Sequence, residues 1–423
     1  MNNNTEIKIK DFRAIHKADI LLNGITVIAG VNGSGKSTIS RVLYHAFDSA
    51  NNMDSIFFSN FKDEMRPIAE IYEQLVDSYP DLGAKRAFYI TRYDMDHKRA
   101  LLEKAARHFQ TDWQNNPESP IVNRLGQIIS YNIKTEVTSD NVVTKLLDVF
   151  DDKVNTYHNL KENRPISSLD AILSTFFDER TLLNNIKILE YGVPFFGHDI
   201  VKVPFFHNIK NTTYIESPLT INFSKFWFGV VEGTNSSLYR KLIDEKNYND
   251  ETSSIVKYIG SSVIGGNVFL HKDSDEIVYQ RNDGEIFPLQ DCATGIKSFA
   301  MLSLLAKNGH INDRSLIIID EPEAHLHPQW IVEYAKVIVE LNKQVGAKFF
   351  IASHSTDLVS AIRYIADKEE RLNILAFYNA VPAQGSDFMF DYESLGTDIE
   401  PIFESFNKSF NLIEQYGADS SEV

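Results

Sequence analysis

A glycine-rich loop between an apolar segment and an amphipathic one constrains the fold of this chain more than any other feature. Residues 30–38 read GVNGSGKST, which matches the pattern G-x-x-x-x-G-K-[ST]. The run before it, ITVIAG, is rich in β-branched residues and predicts a buried strand. The run after it, TISRVLYHAF, has apolar residues at helical spacing. A strand, a glycine loop and a helix in this order predict an α/β sheet with the loop at the end of one strand.

The residues of this loop are those that a phosphate-binding site needs. Glycines allow backbone N–H groups to face an anion, and the N-terminus of the following helix adds its positive end. Lys36 is expected to reach the β- and γ-phosphates of a nucleotide, and the Ser37 hydroxyl to bind Mg²⁺. A glycine-rich turn would match this pattern by chance in about one per cent of chains of this length. The other loop residues expected to contact the nucleotide are Asn32, Gly33, Ser34, Gly35 and Thr38.

A second segment ends in two adjacent carboxylates. Residues 315–330 read SLIIIDEPEAHLHPQW, in which LIIID predicts a buried strand that brings Asp320 to its C-terminal edge. Parallel sheets bind ligands at that edge, so Asp320 is a candidate for organising Mg²⁺. Glu321 is a candidate general base that polarises a water molecule, a role worth roughly 10²–10⁴-fold in rate. The alternative is a charged strand terminus in solvent.

A third apolar run ends in a histidine. Residues 347–357 read AKFFIASHSTD, which predicts a strand followed by Ser353, His354 and Ser355. His354 comes third, after the phosphate loop and the Asp-Glu strand, and is predicted to hydrogen-bond the γ-phosphate. The alternative is an ordinary polar strand terminus.

These three segments resemble the ATPase head of the ABC fold. GVNGSGKST, IIIDEPEAHLHP and IASHS are most similar to the branch that holds SMC proteins, RecF, the OLD (overcoming lysogenization defect) ATPases and related anti-phage ATPases. The similarity covers about 50 N-terminal residues and about 285–423, and TTYIESPL at 212–219 is also typical of this group. The resemblance implies an α/β P-loop NTPase of the ABC-ATPase head type that binds ATP and Mg²⁺.

The resemblance also implies a division of the chain. We expect the N-terminal lobe of the head at 1–60, a mostly helical insertion at 61–200 and the C-terminal lobe at 201–423. No apolar heptad repeat is sustained between the two lobes, which predicts a compact insertion rather than a coiled coil. The sheet of the head is expected to be mixed.

In this family, hydrolysis needs two heads face to face, and each head supplies a signature loop to the ATP of the other. The candidate loop is CATGIKSFAMLSLL, residues 292–305, in which Thr294, Gly295 and Lys297 would approach the partner's γ-phosphate. It departs from the family's Leu-Ser-Gly-Gly-Gln form. The register is open, because either Thr294 or Ala293 takes the serine position. The alternative is an ordinary helix N-cap by Thr294.

Two further family features have less definite counterparts. AHLH, residues 324–327, falls where the dimer-contact loop lies, with His327 in place of its usual Asp. His325 and His327 alone are a weak signal for a metal, because a structural metal site needs more ligands. Nothing selects the residue of the glutamine loop among Gln74, Gln110, Gln114 and Gln127.

One segment of the predicted insertion is basic. Between Lys85 and Arg107 there are seven basic residues and three acidic ones, with Tyr89 and Tyr93 among them. Such a run either contacts nucleic-acid phosphates or forms a solvated helix face with internal ion pairs.

Composition limits where this protein works and what it binds. The net charge of −16 means that any nucleic-acid contact must come from a local basic surface. Cys292 is the single cysteine, so no disulfide can form within the chain. No apolar stretch approaches the roughly 20 residues that span a bilayer, and the N-terminus has no apolar signal core. We therefore expect a soluble cytoplasmic protein with no membrane partner.

The resemblance implies an ATP-dependent switch. It is most like the ATPase subunit of Septu or of retron-associated anti-phage systems, which hold an HNH nuclease. The expected partners are a second copy of the chain through ATP-sandwiched heads, or a higher oligomer, and a separate effector, because no nuclease motif follows the head. Two alternatives stay open. One is a DNA repair or recombination ATPase of RecF or SMC type that acts on DNA directly, and the other is a non-hydrolysing, ATP-bound scaffold.

Overall fold

The chain divides into two compact units by its internal contacts. The first, the head unit, comprises Met1–Asn51 and Ile166–Val423, and the second, the insertion unit, comprises Asn52–Pro165. The computed structural model describes residues 5–84, 88–91, 94–216, 234–244, 250–272, 274, 276–324, 326–386, 388–404 and 414.

Strands and helices alternate through the head unit as the sequence predicts for an α/β protein. Its strands are β1 (Thr5–Phe12), β2 (Ile15–Leu22), β3 (Ile25–Ala29), β4 (Ile186–Glu190), β5 (Val193–Phe196), β6 (Asn211–Ile215), β7 (Gly266–His271), β8 (Glu276–Arg281), β9 (Ile286–Pro288), β10 (Ser315–Asp320), β11 (Lys348–Ser353), β12 (Leu375–Pro382) and β13 (Phe390–Gly396). The helices of the chain are α1 (Lys36–Ser78), α2 (Met95–Asn115), α3 (Pro120–Ile133), α4 (Val142–Asn163), α5 (Ile166–Phe177), α6 (Thr234–Ile243), α7 (Ser253–Tyr258), α8 (Thr294–Lys307), α9 (Pro328–Val345) and α10 (Thr356–Lys368).

A mixed ten-stranded sheet is the centre of the head unit. Its order is β5-β4-β1-β2-β13-β12-β3-β11-β10-β6, and β7, β8 and β9 form a separate antiparallel sheet. The run from β12 to β6 is parallel throughout, whereas β1, β2, β4 and β5 pair antiparallel. The predicted fold class, a P-loop NTPase of the ABC-ATPase head type with a mixed sheet and a compact helical insertion, is confirmed.

The parallel centre of the sheet brings three strand ends together. Every residue of β3, β10 and β11 is buried, as expected for strands covered on both faces. Ser353 pairs with Ala29, and Ala352 pairs with Asp320. The C-terminal ends of these strands therefore lie side by side, at the edge where parallel sheets bind ligands.

Helices α8 and α9 belong to the apolar core of the head unit. The ring centroids of Phe299 and Tyr334 lie 5.4 Å apart in an edge-to-face contact, and both side chains are fully buried. Pairs of this geometry add stabilisation beyond the area that they bury.

The insertion unit, Asn52–Pro165, begins and ends earlier in the chain than the expected range 61–200. β4 pairs with β1 through Ile188 and Ile7, and β5 continues the same sheet. Phe177 of α5 contacts Phe12 of β1, with 5.8 Å between ring centroids. Residues from Ile166 onward thus belong to the head, and the insertion unit is α2, α3 and α4 with the later part of α1.

No helix in the described part of the chain is long and apolar enough to cross a membrane.

Candidate active site

The predicted phosphate loop joins β3 to α1 in a conformation that requires glycine. Gly30 and Gly35 have φ values of +155° and +96°. A Cβ on Gly35 would lie 2.8 Å from Ile15 Cγ1, and a Cβ on Gly30 would lie 2.7 Å from Ala380 Cβ. At both positions, glycine is needed for the positive φ of the backbone and for the space around it.

The remaining loop residues lie where a phosphate cradle needs them. Asn32 and Gly33 are exposed at the tip of the loop, and Ser37 and Thr38 lie in the first turn of α1. Ser34 is buried, and its carbonyl oxygen accepts a 3.0 Å hydrogen bond from the hydroxyl of Tyr392. Its own hydroxyl oxygen has no hydrogen-bond partner within the described ranges.

Lys36 is buried at the base of the loop. Its Nζ donates hydrogen bonds to the carbonyl oxygens of Gly30, at 2.8 Å, and Val31, at 3.0 Å. Burial lowers the pKa of Lys36, and the nearby carboxylates of Glu321, Asp320 and Glu323 oppose that shift. These carboxylates at the edge of the sheet therefore favour the charged form of Lys36.

Asp320 ends β10 as a buried carboxylate with one unused oxygen. Its Oδ2 accepts a 3.0 Å hydrogen bond from the hydroxyl of Tyr214, whereas Oδ1 has no partner of hydrogen-bond geometry among the described residues. Burial raises the pKa of Asp320, and the hydroxyls of Ser37 and Tyr214 oppose this rise. A buried, unpaired carboxylate oxygen near a serine hydroxyl fits the ligand set of Mg²⁺, which prefers oxygen ligands.

We expect the charge of Asp320 to reduce the stability of the nucleotide-free protein. Asp320→Asn removes a buried charge with an unpaired oxygen, so the free energy of unfolding should rise by on the order of 1 kcal/mol. Because the pKa is raised above its ordinary 3.8, the wild-type protein should lose stability as the pH rises from that value through the raised pKa. The asparagine variant should show no such loss. Denaturant unfolding at several pH values measures both effects.

The control for this experiment is Asp313→Asn, because Asp313 is exposed in the loop before β10. It should leave the unfolding free energy unchanged. A loss of stability in Asp320→Asn would contradict the proposed unpaired charge. If Asp320 holds Mg²⁺ as the sequence predicts, thermal stabilisation by Mg²⁺ in the presence of ATP should be lost in Asp320→Asn and kept in Asp313→Asn.

Glu321 has a left-handed backbone conformation, with φ of +52°. Its N–H donates to the carbonyl of Ala352 at 2.9 Å, and its carbonyl accepts from Ala324 N–H at 3.0 Å, so neighbouring structure fixes this turn. Such a conformation costs roughly 1–2 kcal/mol in a residue other than glycine and is concentrated at functional sites. The carboxylate oxygen Oε1 lies 3.5 Å from His354 Nδ1, and 41% of the side chain is exposed. A water molecule can therefore reach it.

His354 follows β11 and lies between two carboxylates. Its Nδ1 is 3.3 Å from Oε1 of Glu323 as well as 3.5 Å from Glu321, and the side chain is 42% exposed. Ser355 caps the next helix, since its hydroxyl accepts from Leu358 N–H at 3.2 Å. The structure thus brings Asp320, Glu321 and His354, which the sequence assigned to one site, to one edge of the sheet.

Glu323 is the residue of this site that sequence reasoning missed. Only 6% of its side chain is exposed, and its Oε1 accepts hydrogen bonds from Ser353 Oγ and His354 N–H, both at 2.8 Å. The only signal was its place in DEPE, two residues after Glu321. Its partners are 30 and 31 residues away in the chain, so no local pattern reveals them.

The predicted signature loop begins α8. Ala293 is the N-cap and has no side-chain hydrogen bond, so the alternative in which Thr294 caps the helix is wrong. Gly295 is buried against its own chain, where a Cβ would lie 2.2 Å from the ring of Trp330. Lys297 lies one turn into the helix and is partly exposed. The role of these residues in a partner's site stays a prediction.

His327 has a structural role. Its Nδ1 accepts a 3.4 Å hydrogen bond from Gln329 N–H at the start of α9, next to Pro328 in the first turn. His325 lies outside the described residues. Among those that are described, no group of three or more histidine, cysteine or acidic residues is arranged to hold a metal ion.

The strand next to Asp320 ends in a glutamate. β6 is parallel to β10, with Ile215 opposite Ile319, and Glu216 follows it. Glu216 accepts a 3.2 Å hydrogen bond from Arg41 and contributes to the raised pKa of Asp320. The candidates for the glutamine loop, Gln74, Gln110, Gln114 and Gln127, all belong to the insertion unit.

Three cations of the basic run pair with acidic residues of the insertion unit. Lys98 lies 3.3 Å from Asp94, Arg99 lies 2.8 Å from Asp151, and Arg107 lies 2.6 Å from Glu103. This arrangement matches the ion-paired helix face. Lys85, Arg86, Arg92 and Tyr93 are outside the described residues.

The chain is similar in part to several known proteins. A segment of 72 residues is 35% identical to the energy-coupling factor transporter ATP-binding protein EcfA3 of Clostridium perfringens; it covers 17% of this chain and a quarter of that protein. The SMC head domain of Thermotoga maritima is 11% identical, with a TM-score of 0.36 over 93% of this chain and 99% of that one. The cbiO1 structure from Clostridium perfringens is 10% identical, with a TM-score of 0.35 over the whole of both chains.

The two TM-scores are below 0.5, so the assignment of the fold rests on the sheet order and the phosphate loop of the chain itself. The family assignment rests on a match that extends from residue 5 to residue 359, well over half of the chain. The chain therefore belongs to the AAA ATPase domain family.

Proposed function

We propose that the head unit binds ATP with Mg²⁺ at the edge formed by β3, β10 and β11 and works as a dimerising switch. The observation that carries this proposal is the meeting of Lys36, Asp320, Glu321 and His354 at that edge. Lys36 would exchange the carbonyls of Gly30 and Val31 for the β- and γ-phosphates. Ser37 and Asp320 would hold Mg²⁺. Bound Mg²⁺ neutralises negative charge on the phosphates.

Hydrolysis in this proposal depends on Glu321 and His354. The exposed carboxylate of Glu321 accepts the proton of the attacking water. His354 has its Nδ1 between two carboxylates, which leaves Nε2 as the ring atom for the γ-phosphate. Because water can reach the carboxylate of Glu321, ATP hydrolysis is favoured over a scaffold that holds ATP without turnover.

The switch requires a second copy of the chain. The candidate signature loop begins α8, and the positive end of the helix dipole at this N-terminus favours the γ-phosphate held by a partner. Binding of ATP would join the heads through Thr294 and Lys297, beside the buried Gly295, and hydrolysis would separate them. A two-fold pair makes each of these contacts twice.

The work done by the switch is assigned to a separate effector, an HNH-type nuclease of an anti-phage system. This part rests on the resemblance of GVNGSGKST, DEPEAHLHP and IASHS to that branch. The second candidate, a RecF- or SMC-like ATPase acting on DNA, gains no support from Lys98, Arg99 and Arg107, since these three cations of the basic run are ion-paired. Tight DNA binding by the purified chain alone would favour that candidate.

Two inactive variants should complement each other if the heads share their sites. Lys36→Ala disables the phosphate loop of its own chain, and Lys297→Glu places a negative charge where the partner's γ-phosphate approaches. A 1:1 mixture should regain about a quarter of wild-type ATPase activity, because half of the dimers would contain one intact composite site. Gly295 is unsuitable for this test, since any side chain there collides with Trp330.

The control is Lys307→Glu, at the other end of α8, which should be active alone. Coexpression of two differently tagged chains removes any limit set by slow exchange. Heterodimers of the two variants that stay inactive, or a Lys297→Glu protein that hydrolyses ATP normally, would contradict the shared site.

A further inference from the structure

Glu323 joins the ends of two strands through a single oxygen atom. Oε1 accepts hydrogen bonds from the Ser353 hydroxyl and the His354 backbone N–H, both at 2.8 Å, and lies 3.3 Å from His354 Nδ1. One of these three contacts holds the main chain after β11, one holds the Ser353 hydroxyl at the strand end, and the third lies at the imidazole ring. One oxygen atom thus positions both the backbone N–H of His354 and its imidazole ring.

Burial of the Glu323 carboxylate costs folding free energy, which indicates a functional role beyond packing. Glu323 is buried, and its second oxygen, Oε2, has no hydrogen-bond partner among the residues that the structure describes. A buried carboxylate with an unsatisfied oxygen is unfavourable for folding.

The contact at Nδ1 decides which nitrogen of His354 is presented. A carboxylate oxygen only accepts hydrogen bonds, so a hydrogen bond between this oxygen and Nδ1 requires the proton on Nδ1. The second carboxylate, Glu321, lies 3.5 Å from the same nitrogen. Nε2 is then the ring atom left for a ligand.

We propose that Glu323 is a positioning residue that holds His354 by its backbone N–H and its Nδ1 and so directs Nε2 toward the bound nucleotide. This inference rests on the proposed role of His354 in hydrolysis. Since Oε1 makes all the contacts, the position of one acceptor matters more than the charge of the group. Glutamine keeps that acceptor at the same place, whereas aspartate keeps the charge but withdraws it by one methylene.

Glu323→Asp and Glu323→Gln therefore distinguish the effect of the acceptor's position from the effect of its charge. Glu323→Asp should lower kcat for ATP hydrolysis by about tenfold or more, the usual effect of losing a group that orients a functional histidine. KM for ATP should change by less than about twofold, because the phosphate loop is intact. Glu323→Gln should stay within about threefold of wild type in kcat. The reverse order, with aspartate active and glutamine inactive, would overturn the proposal.

The tautomer of His354 gives a readout that does not depend on hydrolysis. In nucleotide-free protein labelled with ¹⁵N-histidine, the signals that vanish in His354→Gln belong to His354. They should show the Nδ1–H tautomer in wild type and in Glu323→Gln, and a mixture with the Nε2–H tautomer in Glu323→Asp. A wild-type tautomer in Glu323→Asp would overturn the proposal. Glu340→Asp, at a partly exposed glutamate on α9 that pairs with Lys343, is the matched control.

A test in the His354→Gln variant distinguishes a failure of this inference from a failure of the proposed function. In His354→Gln protein, Glu323→Asp should have no further effect on kcat, because a positioning residue acts only through the group that it positions. A further loss would overturn the inference. If His354→Gln alone hydrolyses ATP normally, the proposed role of His354 fails, while the tautomer measurement still tests whether Glu323 orients the ring.

Discussion

Glu321→Gln is expected to retain ATP binding and to lose hydrolysis by roughly 10²–10⁴-fold. The amide has the shape of the carboxylate but cannot accept a proton from water. The backbone contacts that fix the turn, from Glu321 N–H to Ala352 and from Ala324 N–H to Glu321, do not involve the side chain. Nucleotide affinity should therefore be unchanged. Phosphate release measures the rate, and calorimetry measures the affinity.

The chain offers a closely matched control for this substitution. Glu370 is also a glutamate in the left-handed conformation, with φ of +56°, and is exposed beyond the end of α10. Glu370→Gln should leave both hydrolysis and affinity unchanged, which shows that the effect at Glu321 does not come from altering this backbone conformation. A Glu321→Gln protein that turns over like wild type would mean that another group accepts the proton.

Lys36→Ala is expected to reduce the affinity for ATP by tenfold or more, which corresponds to about 1.4 kcal/mol or more. The substitution removes the ammonium group that lies 2.8–3.0 Å from the loop carbonyls and that would meet the β- and γ-phosphates. Titration calorimetry with a non-hydrolysed ATP analogue measures the change. Unchanged affinity would contradict the assignment of the phosphate loop.

Folding of the loop must be checked in the same variant, because Lys36 is buried and hydrogen-bonded in the nucleotide-free protein. Thermal unfolding without nucleotide reports any loss of stability. The control is Lys368→Ala, at the exposed end of α10, which should change neither affinity nor stability. An affinity loss in Lys36→Ala with little loss of stability identifies the lysine as a ligand of the phosphates.

The sequence predicts those parts of the molecule that local patterns determine. The strand before the phosphate loop, the helix after it and the buried strand LIIID are each defined by residues that are neighbours in the chain. Buried parallel strands read as continuous apolar runs, so β10 and β11 could be recognised with their polar ends. The convergence of these ends follows from the rule that parallel strands place their C-termini at one edge.

The parts that could not be predicted depend on contacts between distant residues. β4 belongs to the head because Ile188 pairs with Ile7, and nothing in the residues around 186–190 reveals this partner. Glu216 lies next to Asp320 because β6 is parallel to β10, across about 100 residues of sequence. The burial of Gly295 depends on Trp330, which belongs to a different helix.

The left-handed turn at Glu321 is a further feature that residue type does not predict. A glutamate before Pro322 gives no sign of positive φ, which L-residues other than asparagine and aspartate rarely adopt. The turn follows from the pairing of Glu321 N–H with Ala352 and from the hydrogen bond of Ala324 N–H. Hydrogen bonds to neighbouring segments thus override the local conformational preference at Glu321, which we propose as the general base.

The mass of the Glu321→Gln protein, measured by light scattering with and without ATP and Mg²⁺, tests the proposed switch most directly. This variant should bind ATP without hydrolysing it and so accumulate the joined state. We expect the mass of the particle to double on addition of ATP, from 48.2 kDa if the nucleotide-free protein is a single chain. The double variant Lys36→Ala/Glu321→Gln should show no change. A Glu321→Gln protein that binds ATP and keeps its mass would contradict the account.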